Sequence, residues 1–146
     1  MKKLIVLLFL FFSSNLYSSE IKFEKIFDDL NKPWSLSFID NENVIISEKK
    51  GTLKILNLKN RNKKEIQHNL SLVSLGQGGL LDVLYDNKQI YISYSENRGD
   101  WKTSTSVAKG AFNEKNIKFK NIFRAEPPID SGYHFGSRLV IKNNHL

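Results

Sequence analysis

One stretch of short apolar runs separated by turns decides the fold, PWSLSFIDNENVIISEKKGTLKILNL (residues 33–58). Its apolar residues come in strand-length runs, several of them alternating with polar residues, which is typical of β-strands rather than of amphipathic helices. Two polar clusters interrupt the runs, at residues 40–43 and 49–51, and both are rich in turn-forming residues. The stretch therefore predicts three antiparallel strands joined by tight turns.

The same rhythm continues along the chain, and no segment carries the 3.6-residue period of an amphipathic helix. Candidate strands lie at residues 22–27, 35–39, 43–48, 52–58, 89–94, 104–112, 117–124 and 138–142. They include two sets of three whose starts are about 55 residues apart, near the ~40–50 residues of a long propeller blade. The residues alone leave two all-β architectures open, the first blades of a β-propeller and a small β-sandwich or barrel.

Length and composition limit the class of protein. With 146 residues, 40% of them hydrophobic and 12% aromatic, the chain can form a single packed domain. It contains no cysteine, which excludes a disulfide framework and a thiolate metal site. The net charge is +7, but the lysines are scattered among asparagines, without a basic helix or an aromatic platform. We therefore expect a solvated charged surface and no nucleic-acid partner.

The first 19 residues have the layout of a secretory signal peptide. Lys2 and Lys3 precede an uninterrupted apolar run at residues 4–12, and serines follow it. As a helix, this run would span only ~14 Å, against ~30 Å for the hydrocarbon core of a bilayer. We expect a periplasmic or secreted protein with no stable membrane span and one domain over residues 20–146. A buried N-terminal strand is the alternative.

Two glycine-rich segments hold the residues best suited to chemistry. The first, GQGGLLDV (residues 76–83), places Gln77 in a turn. Its amide can donate and accept hydrogen bonds, which suits a polyhydroxylated substrate, although Gln77 could equally be an ordinary turn residue. The second, SGYHFGSRLV (residues 131–140), sets His134 between two glycines, and an imidazole can take up a proton near neutral pH. His134 is therefore the candidate general base.

Two charged residues accompany these candidates. Arg138 opens the last candidate strand and could contact a ligand carboxylate or pair with an acidic neighbour. Asp82 follows two leucines, and we expect it to be structural rather than catalytic. The chain contains no zinc-type ligand spacing and no phosphate-binding glycine loop. We therefore predict no metal site within it.

The two segments, in this order and after Lys32-Pro33-Trp34, resemble the soluble sugar dehydrogenases that depend on pyrroloquinoline quinone (PQQ). This is the glucose/sorbosone dehydrogenase family, and the resemblance is to its aldose sugar dehydrogenase branch. It implies a six-bladed β-propeller with PQQ and calcium as cofactors. Tyr133 departs from the glucose-oxidising members, which carry an acidic residue before the catalytic histidine. The resemblance therefore leaves the preferred sugar open.

The resemblance also implies a reaction, the oxidation of an aldose sugar to a lactone. His134 would remove the proton of the anomeric hydroxyl while a hydride passes to the C5 carbonyl of PQQ. Gln77 would lie on the sugar side of the pocket, and Arg138 would contact a PQQ carboxylate. The electrons would then leave for an external acceptor.

A propeller ring needs at least ~4 blades, whereas this chain accounts for about two. We therefore expect an N-terminal fragment that is inactive by itself, with calcium ligands and most PQQ-binding residues beyond residue 146. Two alternatives remain: a non-catalytic exported propeller that binds a sugar, peptide or envelope partner, and a complete small secreted β-domain. Fold alone does not decide between an enzyme and a binding protein.

Overall fold

Two β-sheets, formed one after the other along the chain, make up the computed structural model, which describes residues 20–143 and 145–146. The expected all-β class is confirmed. Within the described residues no helix is long and apolar enough to cross a membrane. The strands are β1 (Pro33–Phe38), β2 (Asn43–Glu48), β3 (Thr52–Asn57), β4 (Lys63–His68), β5 (Leu80–Asp86), β6 (Gln89–Asn97), β7 (Thr103–Ala111), β8 (Asn116–Ile117) and β9 (Lys120–Arg124). The expected signal peptide at residues 1–19 lies outside the described residues.

The first sheet has the strand order β1-β2-β3-β4-β8. Its first three strands are the antiparallel strands predicted from residues 33–58, and the turns lie at the two predicted polar clusters. β2 is buried along nearly its whole length because both of its faces are covered. Ile45 faces the second sheet, whereas Val44 and Ile46 face the other way.

The second sheet has the order β5-β6-β7-β9 and is built on a long antiparallel pair, which runs from Gln89 opposite Ala111 to Asn97 opposite Thr103. It packs against the first sheet through a single apolar cluster, Ile45, Leu53, Ile55, Ile66, Leu80, Val83, Ile90, Ile92, Tyr94, Ala108, Ile117 and Phe119. Each large side chain buried there contributes roughly 1.5–3 kcal/mol relative to exposure. The two sheets are therefore held together by a continuous core.

The short strand β8 ties the two sheets together along the chain. It leaves the second sheet after β7 and pairs in parallel with β4 of the first, Gln67 opposite Asn116 and His68 opposite Ile117. The chain then returns to the second sheet as β9. The predicted single strand at residues 117–124 is therefore divided between two sheets.

The predicted strand at residues 22–27 is wrong. Arg61 takes the place of a neighbouring strand there, since its guanidinium donates to the Lys25 and Ile26 carbonyls at 3.3 and 2.6 Å. Phe27 packs against the outer apolar face of the first sheet. The segment is thus an irregular cover held by side chains rather than by a backbone ladder.

The predicted strand at residues 138–142 is also wrong. Its backbone hydrogen bonds do not go to a neighbouring strand. The Leu139 N–H donates to Asp82 Oδ2 at 2.6 Å, and Lys142 pairs with His145 within a local turn. Side-chain alternation is present in this segment, but no adjacent strand of the described residues completes a sheet with it.

Two real strands were missed for opposite reasons. The sequence of β4 resembles a charged loop, because Ile66 is its single buried residue. The strand itself lies next to the edge of the sheet. β5 reads as the end of the glycine-rich motif, because it is covered on both faces and lacks alternation.

Candidate active site

The two glycine-rich segments meet at one end of the two sheets. β1 and β5 begin at this end, and antiparallel pairing makes β2, β4, β6 and β9 end there. The connections at this end comprise residues 49–51, 69–79, 98–102 and the segment that follows β9. Gln77 and His134 lie in the two long connections.

Two glycines of the first glycine-rich turn pack so closely against other backbone that no side chain would fit there. Gly76 has φ +56° and Gly79 has φ +142°, conformations that L side chains rarely adopt. A Cβ on Gly76 would collide with the Gly132 carbonyl, and one on Gly79 would collide with the Lys49 carbonyl. The turn is therefore fixed against both the first sheet and the second glycine-rich segment.

Gln77 and His134, predicted separately, are brought together by two hydrogen bonds. The Gln77 N–H donates to the Gly132 carbonyl at 2.7 Å, and the His134 N–H donates to Gln77 Oε1 at 2.9 Å. His134 has φ +65°, a left-handed conformation that histidine tolerates better than most residues. Both side chains are exposed, so the imidazole and the amide nitrogen of Gln77 are open to a ligand.

Asp82 holds the chain that follows His134. Asp82 is 3% exposed, and its carboxylate accepts hydrogen bonds from the Ser35 hydroxyl and the Leu139 N–H. Arg138 lies beside it, with Nη1 at 3.5 Å from Asp82 Oδ1, yet the Arg138 side chain is 79% exposed. The contacts of Asp82 are those of a structural residue. Arg138 has the acidic neighbour that was one of its two expected partners, and its exposed guanidinium can still meet a ligand.

Trp34 and Lys49 were missed as members of the site. The Trp34 indole N–H donates to Ser137 Oγ at 3.0 Å, and the Lys49 ammonium lies 5.8 Å from the centre of the Trp34 ring. That ammonium also donates to the Gly76 carbonyl. Trp34 could have been recognised from the sequence, since it belongs to the Lys32-Pro33-Trp34 motif. Lys49 has the sequence context of an ordinary turn lysine.

An ionic network around the buried Glu96 carboxylate supports the start of the His134 connection. Burial opposes ionisation of Glu96, but hydrogen bonds from Arg124 and Ser106 outweigh it, so the pKa of the Glu96 carboxyl lies below its usual range. Arg98 lies 4.0 Å from the same carboxylate and reaches Glu126 at 2.5 Å. These ion pairs link Glu126, at the start of the connection, to the second sheet.

The described residues give His134 an apolar wall and a small adjacent space. A cavity of about 110 Å³ lies between His134, Tyr133, Phe135, the first residues of β7 and the residues that follow β9. Ligand pockets commonly measure about 300–1,000 Å³, so this cavity is part of a pocket at most. Among the described residues, no group of three or more His, Asp or Glu side chains is arranged to hold a metal ion.

The fold and the motifs have counterparts among known proteins. The family model for glucose/sorbosone dehydrogenase matches residues 30–146. The aldose sugar dehydrogenase YliI of Escherichia coli is 33% identical over 129 residues, 82% of this chain and 35% of that protein. An uncharacterized protein of Synechocystis is 29% identical over 83% of this chain and 32% of its own length. This chain therefore spans about a third of the relatives it matches.

Solved structures agree with the sequence comparison. The soluble aldose sugar dehydrogenase of E. coli in its apo-form superposes with a TM-score of 0.74 and 31% identity over 81% of this chain and 37% of its own. A PQQ-bound aldose sugar dehydrogenase from Streptomyces coelicolor shares the fold, with a TM-score of 0.62 and 16% identity over 71% of this chain and 33% of its own. The chain belongs to the glucose/sorbosone dehydrogenase family.

Proposed function

We propose that the complete protein is an exported, PQQ-dependent dehydrogenase that oxidises aldose sugars to lactones. The observation that carries this proposal is the pairing of His134 with Gln77 across two loops, at positions where the family resemblance puts a base and a sugar contact. Because this chain spans a third of its relatives, the proposal concerns the whole polypeptide, with six blades closing the ring.

His134 serves as the general base. Its exposed ring can accept a proton from the anomeric hydroxyl, and its backbone N–H is held by Gln77 Oε1, which keeps the residue in place. Loss of that proton together with the hydride at C1 converts the C1–OH group into the C=O of a lactone. Gln77 is left with a free amide donor, Nε2, for a sugar oxygen.

The residues around His134 fit one edge of a flat, carboxylated cofactor. A Cβ placed on Gly136 meets no atom within 4 Å, so the backbone is open to close approach. The exposed guanidinium of Arg138 is suited to a carboxylate. The Trp34 side chain, which is 45% exposed, donates to the neighbouring Ser137. When bound, PQQ supplies the two-electron acceptor, and an external acceptor removes the electrons. Calcium would be held by residues outside this chain.

The decisive experiment is an assay of the complete polypeptide encoded by the gene, reconstituted with PQQ and calcium, using dye reduction by a panel of aldoses. We expect His134→Ala to lower kcat by about 10²–10⁴-fold, since proton transfer by a positioned base contributes that much. His145→Ala is the matched control, because His145 is also exposed but lies beyond the site, and it should retain wild-type activity.

Full activity in His134→Ala would refute the assignment of the base. A protein that binds sugars but reduces no dye after reconstitution would instead be a non-catalytic propeller. In that case Gln77 would contact a bound sugar without taking part in its oxidation.

A further inference from the structure

Lys49 occupies a junction between the first sheet and both site segments. It follows β2 in the turn before β3, where its N–H donates to the Lys32 carbonyl at 3.0 Å. Its own carbonyl accepts from the Leu80 N–H, also at 3.0 Å, at the start of β5. The backbone of Lys49 is therefore fixed from two sides, and its side chain starts from a defined position.

The ammonium of Lys49 reaches the residue before Gln77. It donates to the Gly76 carbonyl, and it lies 5.8 Å from the centre of the Trp34 ring. Trp34 in turn donates to Ser137, three residues after His134. One cation thus contacts the first glycine-rich turn directly and the second segment through a single aromatic side chain.

Movement of Gly76 cannot stay local. No room for even a Cβ exists between Gly76 and the Gly132 carbonyl, and that carbonyl also accepts the Gln77 N–H at 2.7 Å. Gln77 Oε1 then accepts the His134 N–H. A shift of the Gly76 carbonyl is therefore passed through the hydrogen bonds of Gln77 to the backbone of His134.

We propose that Lys49 is a positioning residue for the Gln77–His134 pair. It acts through the Gly76 carbonyl and the Trp34 ring, without touching the substrate. This inference rests on the proposed function for its kinetic consequence, but its structural consequence is independent of that function. A catalytic group displaced by ~1 Å can lose about 10²-fold in rate, so loss of this contact has a measurable cost.

The test compares three variants of the complete protein. Lys49→Met removes the ammonium but keeps an apolar stem, Lys49→Arg keeps a cationic donor, and Lys50→Met is the matched control from the same turn, since Lys50 is exposed. We expect Lys49→Met to lower kcat about 10- to 100-fold with the sugar KM changed less than threefold. Lys49→Arg should recover most of the rate, and Lys50→Met should equal wild type.

Hydrogen exchange gives a readout that needs no enzymatic activity. Exchange of the peptide covering residues 132–136 should become at least about tenfold faster in Lys49→Met, because the His134 N–H loses its fixed acceptor, whereas a peptide from β6 should be unchanged. If the wild-type protein oxidises no sugar, the proposed function fails and this measurement still decides the role of Lys49. Unchanged exchange in that peptide, or a loss confined to KM, would overturn the inference.

Discussion

The two glycine-rich segments face each other across the site, yet they are held in different ways. The turn around Gln77 is fixed by packing, since Gly76 and Gly79 leave no space for a Cβ. The segment around His134 has room at Gly136 and is held by polar groups such as Asp82. Packing against backbone cannot be relaxed without a shift of the main chain, whereas polar contacts can be weakened one at a time.

The comparison teaches that similar glycine patterns can have different causes. In the first turn the glycines are required by steric exclusion. In the second segment Gly136 leaves open surface beside the proposed base, which suits the approach of a ligand. A mutation series can separate these two causes, and the expected effects differ in size.

The largest effect is expected from alanine at Gly79. Its φ of +142° and the collision of a new Cβ with the Lys49 carbonyl should lower the free energy of unfolding by about 3–5 kcal/mol. Gly136→Ala is the matched control and should change it by less than about 0.5 kcal/mol. Urea unfolding of the complete protein measures both. Equal effects of the two substitutions would break the comparison.

An intermediate effect is expected from Glu96, whose charge supports the His134 connection. Because its folded pKa is lowered, the stabilisation is present above the unfolded pKa and is lost as the pH falls through the folded pKa. Glu96→Gln should therefore cost about 2 kcal/mol at pH 7, in the range of hydrogen bonds to charged groups.

The difference between wild type and Glu96→Gln should shrink when urea unfolding is repeated at acidic pH, since Glu96 is then neutral in both states. Glu65→Gln is the control, because Glu65 is exposed on β4, and it should show little effect at either pH. A difference that stayed constant with pH would show that ionised Glu96 does not stabilise the fold.

The smallest effect on stability is expected at Gln77, which links the two segments from the surface. Gln77→Ala should change the free energy of unfolding by less than about 0.5 kcal/mol but lower kcat about 10- to 100-fold, at least as much as Lys49→Met, because the His134 N–H loses its acceptor. Gln77→Glu keeps an oxygen acceptor and should retain kcat within about threefold, with a higher sugar KM because the Nε2 donor is lost. Steady-state kinetics separates the two variants, and identical behaviour would leave the contact without a role.

Much of the first sheet could be predicted from residues 33–58, because their apolar runs and polar turns act over a few neighbouring residues. The same local rules failed at residues 22–27 and 138–142. Both segments have strand-like composition, but a strand needs a partner strand. Arg61 supplies a side-chain donor to the first segment instead, and Asp82 supplies a side-chain acceptor to the second. Partner availability is a property of the whole fold, and local pattern cannot reveal it.

The residues of the candidate site also fall into two groups, those that the sequence could predict and those that only the fold reveals. His134, Gln77 and Arg138 were found because they lie in recognisable motifs, and their proposed roles remain predictions. Lys49 lies in a motif-free turn, and its contacts with Gly76 and Trp34 join residues distant in sequence. No periodicity or spacing within the turn could have singled it out from Lys50.

The sequence by itself determined the all-β class, the family and the candidate residues, because turn chemistry, strand-length apolar runs and motif identity are written locally along the chain. The tertiary structure alone decided that His134 and Gln77 share a hydrogen bond, that Asp82 holds the following segment, and that β8 crosses between sheets. These features depend on which surfaces meet when the apolar cluster is buried, and burial brings together residues whose separation along the chain carries no signal.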